Sequence, residues 1–355
     1  MSAPSAQTFA TEPARAESSG RAHAMLATML ALATGAMMVA GLLIGSLGWM
    51  PWTAWHDVFF DPSSALATVV WEVRLPRTLC AWLAGALLGL SGAIAQGLFR
   101  NPLADPYLLG SAAGANLAVA LLLIAVGATP GLDSLGLNLG LTGAAFCGAV
   151  LAVLLTLTLA RGTRQPLRLL LAGVVVSMVL GALASLAMAR HPQLLQAMQV
   201  FMLGTTAFAG WTAAGVLAIA AVGVVLPAWA CARALDVLSL GIDSARSLGL
   251  PLGLAQAVLI GALALGTAAA VAQVGLVAFI GLVAPHLVRL AVRPLHRSLL
   301  LLSALMGGAL LLAADILARA AMAPQELPVG VLTALLGGVY PVSYTHLTLP
   351  TNREV

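Results

Sequence analysis

Residues 74–116 read RLPRTLCAWLAGALLGLSGAIAQGLFRNPLADPYLLGSAAGAN. Arg74 and Arg77 lead into a run of about twenty apolar and small residues, enough for a helix to cross the hydrocarbon of a bilayer. A turn with Arg100, Asn101, Pro102, Asp105 and Pro106 follows, then a second apolar run. Inside a membrane each backbone N–H and C=O must be satisfied within the protein, which leaves an α-helix as the conformation for such runs. The stretch therefore predicts a helical hairpin crossing the membrane twice. Its many glycines and alanines predict helices packed against other helices, because small residues let backbones approach.

The same pattern recurs along the chain. Apolar runs at Met25–Gly48, Thr78–Leu98, Tyr107–Val126, Leu137–Leu159, Leu167–Ala189, Trp211–Cys231, Leu252–Ala272, Val274–Val292 and Leu299–Ala318, with a tenth starting at Leu327, predict an all-α integral membrane protein of ten transmembrane helices. The composition agrees: 61% of residues are hydrophobic and 8% charged, against about 25% charged in soluble domains.

Between the runs, residues 1–24 read as a disordered cytoplasmic tail. Trp49–Val73 reads as an outer loop, with Trp49, Trp52 and Trp55 suited to the headgroup boundary. Arg190–Gly210 predicts a short or re-entrant helix at the outer face, and Pro285 a kink in helix eight. The domain proper is expected over 25–340. After Val339 the polar, proline-interrupted YPVSYTHLTLPTNREV leaves the tenth helix short. Either that helix continues imperfectly or residues 341–355 are a tail foreign to the gene, and the latter is the expectation.

Charge fixes the expected orientation. All sixteen basic residues are arginine; with ten crossings and a cytoplasmic N-terminus, Arg74, Arg77, Arg190 and Arg319 fall outside and the other twelve inside. That bias predicts both termini in the cytoplasm. The absence of lysine excludes a GxxxxGK[ST] phosphate loop, a Schiff-base lysine and a Ser-Lys nucleophile. Cys80, Cys147 and Cys231 lie in apolar runs without CxxC spacing, so neither a disulfide framework nor a zinc site is expected. The arginines are scattered rather than gathered on one face, which argues against nucleic acid as a partner.

Several stretches resemble the FecCD/BtuC-like permease family of ABC importers, which serve iron-siderophore, haem and vitamin B12 uptake. They are the 74–115 segment, RLLLAG (168–173), SLGIDSARSLGL (239–250), GLVAFIGLVAPHLVRL (275–290), ADILAR (314–319) and ELPVGVLTALLGG (326–338). The resemblance implies a BtuC-like type II importer permease fold in the bacterial inner membrane. It also implies a homodimer working with two ATP-binding subunits and a periplasmic substrate-binding protein. No cofactor is expected on this chain, ATP and magnesium belonging to the ATPase partner. The permease would then be a transport subunit rather than an enzyme.

By the same resemblance, residues 234–250 (ALDVLSLGIDSARSLGL) are the coupling helix that docks into the ATPase, with Leu238, Asp243, Ala245, Arg246, Leu248 and Gly249 carrying the contact. Arg74, Arg77 and Arg319 match positions that receive acidic residues of the binding protein, an exposed guanidinium being suited to bidentate carboxylate pairing. The alternatives are interfacial anchoring or, for Arg319, an i,i+4 pair with Asp315. Pro166 and Leu167 fall where the family has its cytoplasmic gate. His191 with Met188, Met198 and Met202 offers a candidate substrate pathway, since His and Met can ligate haem iron; the alternative is a loop histidine beside core methionines. The expected cargo is an iron chelate, haem or ferric siderophore, with cobalamin as the alternative. An ion-gradient-driven secondary transporter is the rival of another class, though no midplane acids are evident for a proton relay.

Overall fold

The structure, a computed structural model, describes residues 12–45, 48–50, 55–61, 63–127, 135–161, 166–239 and 252–348. It is built almost wholly of helices. α1 (Glu12–Leu43) runs into a hairpin of two-residue strands, β1 (Ile44–Gly45) and β2 (Gly48–Trp49). After α2 (Trp55–Phe60), the chain climbs through α3 (Ala65–Thr68) and a π-helical turn (Val69–Arg74) directly into α4 (Leu75–Phe99). A 3-10 turn (Pro106–Leu109) precedes α5 (Ser111–Val126), followed by α6 (Leu135–Leu159) and α7 (Pro166–Arg190). The short α8 (Leu195–Leu203) leads to α9 (Trp211–Ala230) and α10 (Ala232–Ser239). The chain closes with α11 (Leu252–Val274), α12 (Ile280–Ala291), α13 (His296–Ala320) and α14 (Val329–Thr348).

Among the described residues, seven helices are long and apolar enough to cross a membrane, and Ser111–Val126, Ile280–Ala291 and Val329–Gly338 are shorter apolar helices. These segments overlap the expected apolar runs, with three differences at their edges. First, the described chain is helical from Glu12, ahead of the expected start at Met25. Second, the outer loop is partly helical, and residues 65–99 form one continuous helical run. Third, α12 starts only at Ile280, because residues 275–279 break the helix. That break lies against the turn after α8, where Thr205 N–H donates to Val274 C=O at 2.9 Å and Leu276 N–H to Phe201 C=O at 3.1 Å. Irregular backbone in a membrane protein is tolerable where protein satisfies it in this way. The backbone of α14 is helical through Thr348, so the expected polar interruption does not end the helix.

α4 is the axis of the molecule, its side chains from Cys80 to Ala95 being almost all buried. Glycine makes that possible. A Cβ on Gly92 would lie 1.7 Å from the carbonyl oxygen of Gly281 on α12, and one on Gly85 2.3 Å from that of Gly307 on α13. Such backbone contact replaces the apolar driving force that lipid, itself apolar, does not provide. A second core joins α5 and α6 to α11 through Ala115, Val119, Ala149 and Val271, with Leu194 and Met198 packed in from the α8 segment.

Candidate functional site

The first turn of α4 and the last turns of α13 meet in a buried ionic cluster. Asp315 and Arg319 stand one turn apart on α13 and pair directly. Arg77, just inside the start of α4, donates from Nη2 to Asp315 Oδ1 at 3.2 Å and from Nη1 to Glu326 Oε1 at 2.9 Å. Thr206, in the turn before α9, donates its hydroxyl to Asp315 and lies 3.3 Å from Arg77 Nε. Two positive and two negative groups thus balance, and four parts of the chain are tied at one point. Balance is needed there: Asp315 is 0% and Arg319 1% exposed, and removing charges from water costs several kcal/mol per ion unless each is paired and hydrogen-bonded.

Two arginines also close the end of α1. The last carbonyls of a helix have no partner within it and carry partial negative charge. Arg74 Nη1 donates to the carbonyls of Leu42 (2.8 Å) and Leu43 (3.1 Å), and Arg319 Nη1 to that of Gly41 (3.0 Å). Thr78 links the two, donating to Arg74 C=O at 2.6 Å while accepting from Arg319 at 3.4 Å.

This arrangement corrects the expected exposure of the three outer arginines. Arg77 and Arg319 are buried and Arg74 is half-buried, so none projects a free guanidinium. The alternative i,i+4 pairing of Arg319 with Asp315 is what the structure contains.

At the opposite end, Asp236 of α10 accepts from His296 N–H at 2.9 Å and contacts its Nδ1 at 2.7 Å, fastening α10 to the first turn of α13. Arg297 lies over the Trp229 ring at 3.6 Å, gripping the end of α9. Arg289 of α12 donates to Gln96 Oε1 of α4, and Gln96 Nε2 donates to Leu282 C=O at 3.2 Å. In the hairpin turn, Asp105 Oδ1 accepts from Tyr107 N–H at 2.7 Å, and Tyr107 donates its hydroxyl to Val277 C=O at 3.0 Å. Burial pushes the Asp105 carboxyl above its usual range, against a smaller lowering from its backbone hydrogen bond.

Of the expected coupling residues, Leu238 is buried on α10 beside Leu235. Asp243, Ala245, Arg246, Leu248 and Gly249 lie outside the described residues. Pro166 opens α7, where a missing N–H costs nothing, and Leu167 is 70% exposed. The expected pathway residues differ in burial. Met198 is 0% exposed inside the second core and Met188 packs against it, whereas Met202 is 44% exposed and His191 Nδ1 faces Gln193 Nε2 at 3.4 Å. Met198 occupies its place by apolar packing, which a side chain lining a passage would forgo. Among the described residues no three His, Cys, Asp or Glu side chains are placed to hold a metal ion. Thr206, Glu326, Asp236 and His296 were not foreseen as site residues; Asp315–Arg319 spacing was the one sequence signal for the cluster.

The FecCD transport family matches residues 31–343. The vitamin B12 import system permease protein BtuC of Shigella boydii serotype 18 is 39% identical over 310 residues, spanning 86% of this chain and 91% of that protein. BtuC of Escherichia coli O157:H7 is similar to the same extent. Among solved structures, one described as a metal-chelate type ABC transporter in an inward-facing conformation superposes with a TM-score of 0.78 at 27% identity, covering 91% of this chain and 99% of that one. PsaBC from Streptococcus pneumoniae in complex with Fab shares the fold at a TM-score of 0.51 and 16% identity, over 77% and 92% of the two chains. With a profile match over most of its length and relatives this similar, the chain belongs to the FecCD transport family and is a multi-pass membrane permease subunit of an ABC importer.

Proposed function

We propose that this permease moves cobalamin across the bacterial inner membrane, driven by ATP hydrolysed on two partner subunits. The observation that carries the reading is 39% identity to vitamin B12 permeases over 86% of the chain. A second reading, import of an iron chelate such as haem or a ferric siderophore, is favoured by the overall similarity to a metal-chelate type transporter. For that reading Met188, His191 and Met202 are the proposed pathway residues, Met198 being buried in the second core.

Assembly as a homodimer is part of the proposal. Leu167, Leu171, Val175, Met178 and Leu186 of α7 are all exposed at helical spacing, an apolar stripe suited to lipid, a second copy or the wall of a shared passage. Pro166 and Leu167 at its start are the proposed gate. Residues 234–250 are proposed to take the push of the ATPase, and both termini to face the cytoplasm. The outer ends of α4 and α13 are proposed to receive the binding protein. There Arg74, Arg77 and Arg319 act by holding the docking surface in shape, with the Arg77–Glu326 pair at its solvent side.

The test is uptake into proteoliposomes containing permease, ATPase and binding protein, with cyanocobalamin, haem and a ferric hydroxamate siderophore offered in turn. ATP-dependent accumulation of cyanocobalamin alone is expected. Accumulation of an iron chelate instead replaces the first reading with the second. Uptake driven by an ion gradient without ATP overturns both.

A further inference from the structure

A pocket of about 330 Å³ opens at the outer end of the long helical run, lined by Val58, Phe59, Ala67, Thr68, Trp71 and Glu72. It is distinct from the ionic cluster and uses none of its residues. Its depth follows from helix length. The 35 residues of the continuous run 65–99 rise about 50 Å, whereas the hydrocarbon core is about 30 Å thick and the bilayer with headgroups about 40–45 Å. With the apolar part of α4 filling the hydrocarbon, Trp71 and Glu72 stand about 9 Å beyond it, at the level of phospholipid headgroups.

The walls are chemically specific. Phe59 and Trp71 meet edge to face with ring centroids 6.3 Å apart, and the indole is held by its Nε1–H to Val58 C=O at 3.4 Å. From α9, Trp211 Nε1–H donates to Trp71 C=O at 3.0 Å, fixing the backbone behind the ring. Glu72 supplies a carboxylate with no ion-pair partner among the described residues. Arg74, the cation closest in sequence, is turned inward onto the end of α1. Around the pocket Phe59, Phe60 and Val73 are 59%, 76% and 50% exposed. At headgroup depth interfacial aromatic rings are at home, and aromatic faces beside a carboxylate with no ion-pair partner among the described residues suit a cation.

We propose that this pocket binds the ammonium headgroup of a phospholipid, with Glu72 as its counter-ion and Trp71 and Phe59 as its aromatic walls. The permease thereby carries a lipid on its outer leaflet side next to the ends of α4 and α9. The chemistry distinguishes the lipid by its cation: phosphatidylethanolamine qualifies, whereas phosphatidylglycerol and N-acylated phosphatidylethanolamine, which lack the ammonium, do not.

The full-length permease in nanodiscs of phosphatidylethanolamine, phosphatidylglycerol and N-acyl-phosphatidylethanolamine in equal parts provides the test, with lipids retained after mild detergent release counted by native mass spectrometry. Wild type is expected to retain phosphatidylethanolamine over its N-acyl form by at least about fivefold, in line with a desolvated cation–aromatic contact. Glu72→Gln and Trp71→Leu should lose that preference, and Trp71→Phe should keep most of it. Equal retention of the two ethanolamine lipids by wild type overturns the proposal. So does an unchanged preference in Glu72→Gln, which would leave the carboxylate to water or to a protein partner. Glu72 is exposed, so its isosteric variant decides the matter even if the tryptophan variants fold poorly.

Discussion

Arg77 of α4 and Asp315 of α13 meet at 3.2 Å although 238 residues separate them in the chain. The carboxylate also serves Arg319 and Thr206, so it is the shared acceptor of the cluster.

Asp315→Asn should therefore be among the most destabilising single substitutions in the protein. It keeps the shape but leaves Arg77 and Arg319 with only the partly exposed Glu326 as counter-charge, and breaking a buried pair costs about 3–5 kcal/mol. Glu326 is 24% exposed on its side chain, and Glu326→Gln should cost about 1 kcal/mol or less, as solvent screens it. Thermal or denaturant melting of the purified permease in one detergent, at fixed pH, compares the two. Equal losses would contradict the central place given to Asp315.

Gly92→Ala tests the backbone contact between α4 and α12. Its methyl would fall on the Gly281 carbonyl, and forcing extra volume into a packed core costs about 1–3 kcal/mol or more. Gly261, on α11, has open space where its Cβ would stand. Gly261→Ala should be neutral or stabilise by about 0.5–1 kcal/mol, because alanine is the better helix former. The same melting experiment reads both.

These two predictions draw on different degrees of legibility. The packing of α4 was readable from local sequence, because a glycine- and alanine-rich apolar run announces close helix contact wherever it lands. The cluster was not. Counting arginines by side places Arg77 and Arg319 at the outer boundary, but burial depends on partners such as Asp315 and Glu326 that local sequence does not bring near Arg77. The break at 275–279 was hidden for a related reason: GLVAF is as apolar as the helices around it, and its non-helical backbone is held by Phe201 and Thr205 from another part of the chain. Residues 65–73 misled in the opposite sense, since with Glu72 they read as part of a loop but are helical and continuous with α4.

Asp105 gives the protein a pH dependence of definite sign. Burial raises its pKa in the folded state. The stabilisation tied to its protonated form is complete below the unfolded value, about 3.9, and is lost as pH rises through the folded value. Asp105→Asn retains an oxygen to accept from Tyr107 N–H and has no charge to bury. The variant should be more stable than wild type above the folded pKa, with the difference shrinking as pH falls towards 4. A melting series over pH checks this; a difference that grows on acidification contradicts it.

Asp236→Ala severs two polar contacts between α10 and α13. The stability cost should be modest, about 1–3 kcal/mol, for two partly exposed polar interactions. If residues 234–250 receive the ATPase, the larger effect falls on coupling: substrate transported per ATP hydrolysed should drop several-fold while hydrolysis continues. Asp236→Asn, which keeps an acceptor for His296, should restore most of the ratio. Parallel loss of hydrolysis and uptake would place the defect in assembly rather than in transmission.

The closing of α1 by Arg74 and Arg319 has a consequence for biosynthesis. α1 emerges from the ribosome well before α13, yet the guanidinium that donates to the Gly41 carbonyl is encoded 278 residues later. Until α13 is inserted, water at the membrane boundary must serve that carbonyl. α1 is therefore held provisionally until α13 is made, and the arrival of Arg319 acts as a late clasp that only a chain carried through α13 can fasten.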